Sequence, residues 1–185
     1  MFFKIRLYST AIVTFAIWSL LAWDYSHGGV PSHHILNNKD LPGISNWWGG
    51  LLLPCLTWFL VYRVQKMITH QNEPYETSDY QQYVLYRFAG ALIFGVLLSV
   101  FFSFGYTDLA GNMILLLFPA ALFFQLYRAE CLLGFIIGMT YTFGGVLPVG
   151  IGLIFALISA VLYLLIRPGV LYIAMNVARK LSANK

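Results

Sequence analysis

Three of the chain's four histidines and two of its seven acidic residues fall within residues 24–46. They are His27, His33, His34, Asp24 and Asp40. Imidazole and carboxylate together form an ordinary ligand set for a divalent metal such as zinc. A histidine backed by a carboxylate also works as a general base near neutral pH. Asp24 and His27 are three residues apart, so they share one face if the first helix persists that far. His33 and His34 follow Gly28, Gly29 and Pro31, and Asn37, Asn38 and Asp40 come next. The His27-x5-His33 spacing matches neither the HExxH pair nor a zinc finger. Ser32 stands beside His33, but consecutive residues rarely face each other, so the two do not by themselves make a nucleophile and its base. The plainest alternative is a polar cap whose histidines are hydrogen-bonded locally. Against it, Gly28-Gly29, Pro31 and Pro42-Gly43 enforce turns, and a long loop with fixed turns is more often functional than filler.

Whatever these residues do, apolar segments must hold them in place. Charged residues make up 10% of the chain, against about 25% in soluble domains, so the class is integral membrane. Six spans of membrane-crossing character are predicted at 7–23, 47–62, 88–104, 109–127, 131–146 and 149–166, where about 20 apolar residues suffice for each. Lys4 and Arg6 precede the first. Its apolar run exceeds the roughly 7–15 residues of a signal peptide and no small-x-small site follows, so an uncleaved span with its N-terminus inside is expected. Trp23, Trp47 and Trp48 mark one interface at the edges of the outer loop, 24–46. Pro54 predicts a kink in the second span.

The inner loop, 63–87, is polar and mixed in charge. Asn72-Glu73-Pro74 reads as a turn, and Ser78 with Gln81 as a capping box that starts the next helix. That places Tyr80, Tyr83, Tyr86 and Arg87 at headgroup level. Gly105-Tyr106-Thr107-Asp108 reads as a tight turn in which Asp108 caps the fourth span. Arg128-Ala129-Glu130 separates the fourth span from the fifth. From Cys131 to Ile166 there are 36 residues without a charge, too many for one crossing, and Gly144 to Gly150 divides them. Two spans and a re-entrant hairpin both remain open there. Gly134 and Gly138 predict a helix face that packs closely on a neighbour. Arg167-Pro168-Gly169 is expected to stop the last span, leaving 170–183 as an amphipathic helix on the membrane surface. Cys55 and Cys131 fall at different depths, so no disulfide is expected.

The fold expected is therefore all-α: one integral membrane domain over 1–185, a polytopic bundle of about six spans with both termini inside, in a bacterial-type inner membrane. That layout puts ten of the eleven basic residues inside and only Lys39 outside, as the positive-inside rule requires. The net charge of +4 then needs no nucleic acid, and no basic cluster with interleaved aromatics occurs. The partners implied are the lipid bilayer, lipid headgroups and other membrane proteins.

Three functions follow. The first is a metal or acid–base site in the outer loop, acting on a lipid headgroup or small polar substrate. The second is a non-catalytic accessory or assembly subunit. The third is a carrier of neutral or lipidic solutes. Span midpoints hold no ionisable residue, which disfavours a proton-coupled carrier. His70 lies on the opposite side from the other histidines, which disfavours bis-histidine haem. A CxxC pair, the Glu-Glu-x3-Arg of CAAX-type membrane proteases, the rhomboid Gly-x-Ser-x-Gly and the patterns of membrane phosphatases are all absent from the sequence.

Overall fold

The computed structural model describes residues 2–34, 43–69 and 74–183; the side chains of His33, His34, residues 74–79, Ala174 and residues 177–183 lie outside that description. The described chain is helical apart from one small hairpin. Its elements are α1 (Phe2–Ser26), β1 (Ser32–His34), β2 (Gly43–Ser45), a 3-10 turn (Asn46–Trp48), α2 (Gly49–Thr69), α3 (Pro74–Ser103), α4 (Thr107–Phe123), α5 (Ala129–Phe143), α6 (Val146–Val161), a π-helical turn (Leu162–Ile166) and α7 (Arg167–Ala183). Among the described residues, four helices are long and apolar enough to cross a membrane: Phe2–Ser26, Asn46–Thr69, Tyr80–Ser103 and Val146–Ile173. α4 and α5 are also apolar but have 17 and 15 residues. At 1.5 Å per residue they reach only about 25 and 22 Å, short of a hydrocarbon core of about 30 Å.

Several boundaries differ from those the sequence predicts, each for a physical reason. The helix expected to start at Ser78 starts at Pro74, because proline fits the first helical position, where its missing N–H costs nothing. Asp108 sits inside the first turn of α4 rather than capping it; the cap position is Tyr106, without a side-chain bond. Its charge still complements the positive end of the helix. α4 ends at Phe123 and not at Tyr127, since Phe124 turns extended. Arg167-Pro168-Gly169 does not stop the last helix. The helix runs on into α7, so residues 170–183 follow the last apolar helix without a break. The wide turn at Leu162–Ile166, closed by the Arg167 N–H on the Leu162 carbonyl, absorbs Pro168. A proline ring clashes with the carbonyl four residues back, here that of Leu164, and an expanded turn relieves that clash.

Two helix pairs organise the interior. α1 and α2 run antiparallel: Leu21 is fully buried against Gly50, Phe3 meets Trp58 edge-on, and the Gln65 amide donates to the Phe2 carbonyl at 2.6 Å. The Arg6 guanidinium lies 4.1 Å above the Trp58 ring. α3 and α5 run parallel and make the largest helix–helix contact. The face predicted from Gly134 and Gly138 forms this seam. A Cβ on Gly138 would stand 2.5 Å from the Leu92 carbonyl oxygen, and one on Gly95 2.7 Å from that of Phe135. Such spacing admits only glycine, and it lets van der Waals contact hold helices that lipid would otherwise solvate equally well. Ile136 of α5 is completely enclosed, with Leu53, Leu98 and Met139 among its fellow core residues.

Candidate functional site

The outer loop contains real structure. β1 and β2 pair antiparallel, with Ser32 opposite Ser45, His33 opposite Ile44 and His34 opposite Gly43. The Asn46 N–H then donates to the Pro31 carbonyl at 3.1 Å. The Asn46 side chain, 1% exposed, reaches across to the α5–α6 turn, where its Oδ1 accepts the Gly145 N–H at 2.8 Å. Its amide occupies the space in which a Cβ on Gly144 would sit, and Gly144 has φ +71°. Glycine is therefore required there on two counts.

The predicted site residues do not come together as one cluster among the described residues. α1 ends at Ser26, and Gly28 and Gly29 take φ +122° and +100° just beyond. His27 is exposed and stacks on Trp23, ring centroids 3.9 Å apart. Its Nδ1 lies 3.0 Å from the Trp23 carbonyl oxygen and 3.0 Å from Ser26 Oγ. A carbonyl only accepts, so this contact assigns the proton to Nδ1. Asp24 makes no side-chain bond to His27; its backbone carbonyl takes the Gly29 N–H at 2.9 Å. No three of His, Cys, Asp and Glu among the described residues stand close enough to hold a metal. Asp40 and the side chains of His33 and His34 lie outside the described residues.

The opposite end of the bundle holds what the sequence reading missed. A cavity of about 700 Å³ lies between α3, α4, α5, α6 and the π-helical turn. Cys131, Leu132, Phe135, Ala121 and Gly152, all buried, form its floor. Phe94, Phe118 and Phe155 line its walls, and exposed Tyr86 and Gly90 of α3 face Leu116 and Phe123 of α4 across its rim. The opening exists because α3 and α4 touch only sparsely, whereas α3 and α5 are locked by glycines.

The mouth of this cavity is polar. Arg87, Gln125 and Tyr163 line it, one each from α3, the elbow after α4 and the π-helical turn. Behind them Glu130 is 2% exposed in the first turn of α5. Its Oε1 is 3.1 Å from Arg128 Nε and 3.5 Å from Arg87 Nη1. Arg128 also donates through Nη1 to Gln125 Oε1 at 2.7 Å and through Nη2 to the Tyr80 hydroxyl. Gln125 Nε2 in turn donates to the Tyr163 hydroxyl at 3.2 Å, and the Arg167 guanidinium lies 4.4 Å over the Tyr163 ring. A buried carboxylate needs such company, since an unpaired one costs several kcal/mol. The helix N-terminus adds to its stabilisation. One signal in the sequence pointed here: between Asp108 and Arg167 the only charged residues are Arg128 and Glu130. Opposite charges isolated in an apolar background mark a buried pair.

Comparison with protein-family models, with curated proteins and with solved structures finds no match for this chain.

Proposed function

We propose that this is a six-span protein of a bacterial-type inner membrane, with both termini on the cytoplasmic side, and that it binds the apolar part of a lipid in the cavity between α3 and α6. The observation that carries this reading is the cavity itself. At about 700 Å³ it lies within the roughly 300–1,000 Å³ typical of small-molecule sites. Its walls are aromatic and aliphatic, and its rim runs between α3 and α4 to the polar mouth at the basic end. In a bilayer an apolar recess open at the side is filled by whatever chain lies next to it. The orientation rests on charge: the cavity mouth lies at the end of the bundle that carries Arg87, Arg128 and Arg167, and ten of eleven basic residues fall on that side of a six-span layout. This is the lipidic branch of the carrier reading.

Gly90 supplies the test. It lines the cavity, and a Cβ added to it meets nothing within 4 Å. Gly90→Phe therefore fills the recess without disturbing the helix seam, and removing a mid-helix glycine favours the helix. Native mass spectrometry of the detergent-solubilised protein, titrated with dioleoyl phosphatidylcholine, should show one tightly held lipid per chain that Gly90→Phe loses. Undiminished lipid retention in that variant, with an unchanged melting temperature, would end the reading.

A second reading keeps the outer loop as a metal or acid–base site built from His27, His33, His34, Asp24 and Asp40. It is supported by the β1–β2 hairpin, which fixes both ends of the segment that contains Asp40. Zinc bound stoichiometrically by the purified protein and lost in the His33→Ala, His34→Ala double variant would sustain it; equal metal content in both proteins would end it.

A further inference from the structure

We infer that the cavity mouth selects the phosphate of an anionic phospholipid, with Arg87 as its charged contact and the Tyr163 hydroxyl as a second donor. This rests on the lipid-binding reading above and adds a headgroup class to it.

The first argument is charge. Arg87 and Arg128 surround one carboxylate, Glu130, and Arg167 stacks on Tyr163 at the same mouth. Among the described side chains, three positive charges stand against one negative at this site. Basic pockets between membrane helices on the cytoplasmic side are the usual receptors for anionic headgroups.

The second argument is hydrogen-bonding capacity. Both ends of Gln125 are used, its Oε1 by Arg128 and its Nε2 on Tyr163. Tyr163 accepts from Gln125, so its own O–H remains to be donated. Arg87 makes one polar contact among the described residues, the 3.5 Å approach to Glu130. Arg128 holds that same oxygen at 3.1 Å, so Arg87 is the looser partner and its remaining N–H groups are unspent. The unspent groups that line the mouth, on Arg87 and Tyr163, are donors, while the unpartnered Glu130 Oε2 is buried behind them, and the complement of unspent donors is an oxyanion. A phosphate oxygen pair suits the guanidinium fork.

The third argument is place. Arg87 and Tyr163 line the same recess whose walls would take the acyl chain, so one molecule can satisfy both. Tyr163 also sits in the π-helical turn. Such turns occur mostly as single insertions and frequently at functional sites; here the turn brings Leu162 and Tyr163 to the cavity.

The experiment titrates the full-length detergent-solubilised protein with phosphatidylglycerol and phosphatidylcholine of identical acyl chains, read by native mass spectrometry. Wild-type protein should hold phosphatidylglycerol about tenfold more tightly, the order of one charge-assisted contact. Arg87→Gln should erase that preference while still binding phosphatidylcholine, and Arg87→Lys should keep most of it. Should Arg87→Gln fail to fold, Tyr163→Phe carries the test and should lower the preference. Equal retention of the two lipids by wild type overturns the inference, as does a preference untouched by Arg87→Gln or, in its place, Tyr163→Phe. Displacement of phosphatidylglycerol by oleate at equal concentration also overturns it, in favour of a carboxylate. In those cases lipid loss in Gly90→Phe would leave the cavity reading standing. Both lipids retained in Gly90→Phe would remove the cavity reading itself.

Discussion

The two ends of this bundle are closed by different means. At the outer end one neutral amide, Asn46, closes the structure by meeting backbone: it caps Gly145 and fills the space above Gly144. At the basic end an ion cluster, Arg87–Glu130–Arg128, links three segments and opens onto a cavity. The outer loop holds three of the four histidines, yet among the described residues the buried side chain that closes that end is Asn46. At the basic end the charge-free runs 109–127 and 131–166 leave only Arg128 and Glu130 between them, yet that end buries a carboxylate. Abundance of polar residues therefore does not locate polar construction. What locates it is where helix packing leaves a polar group no access to water. At the basic end that group is Glu130, drawn in by the parallel seam of α3 and α5.

The sharpest break of this contrast is Arg128→Ala. It leaves Glu130 enclosed with only the 3.5 Å contact to Arg87. Breaking a buried pair from one side costs about 3–5 kcal/mol, and SDS-driven unfolding of the solubilised protein should register a loss of that order. The Arg128→Met, Glu130→Leu double variant should recover most of it, because two apolar residues leave no uncompensated charge. If Arg128→Ala unfolds like wild type, the cluster is ornamental and the two ends do not differ as described.

Asn46→Ala probes the other end and should cost less. It orphans one buried N–H, that of Gly145, for about 1–3 kcal/mol. It also empties the space over Gly144, so the loss should appear as earlier unfolding of the β1–β2 hairpin and the α5–α6 turn together. Hydrogen exchange of the Gly145 amide would report this directly: protection that survives in Asn46→Ala would mean the amide is held by something else.

How much of this was legible beforehand depends on the range of the interaction. Helix content, the Gly134–Gly138 seam and the break at Gly144 were readable, because composition, a four-residue spacing and a glycine pair are local. Boundaries that depend on the next helix were not. Pro168-Gly169 reads as a stop unless a wide turn precedes it, and nothing in the sequence of residues 162–166 announces one. The cavity was least legible of all. Arg87, Gln125 and Tyr163 are far apart along the chain and reach one cavity from three different segments. The Arg128–Glu130 pair reads first as a boundary between spans, and only its isolation in an apolar background points to its burial. The outer histidines drew notice because they cluster in sequence, and of these His27 is the one whose side-chain surroundings are described.

His27→Ala is expected to do the least, and that smallness sharpens the contrast. The ring is exposed, its Nδ1 is engaged by the carbonyl of Trp23 one turn back, and no acidic side chain meets it among the described residues. Its stacking on Trp23 is a local contact at the end of α1, where the chain is already leaving the helix through Gly28 and Gly29. Surface substitutions of this kind fall within about 0.5 kcal/mol. Lipid preference should also be unchanged, since the residue is at the end of the bundle opposite Arg87. A His27→Ala variant destabilised as much as Asn46→Ala would mean that the outer loop is held by its histidines, and the account of that end as a single amide on backbone would have to be replaced.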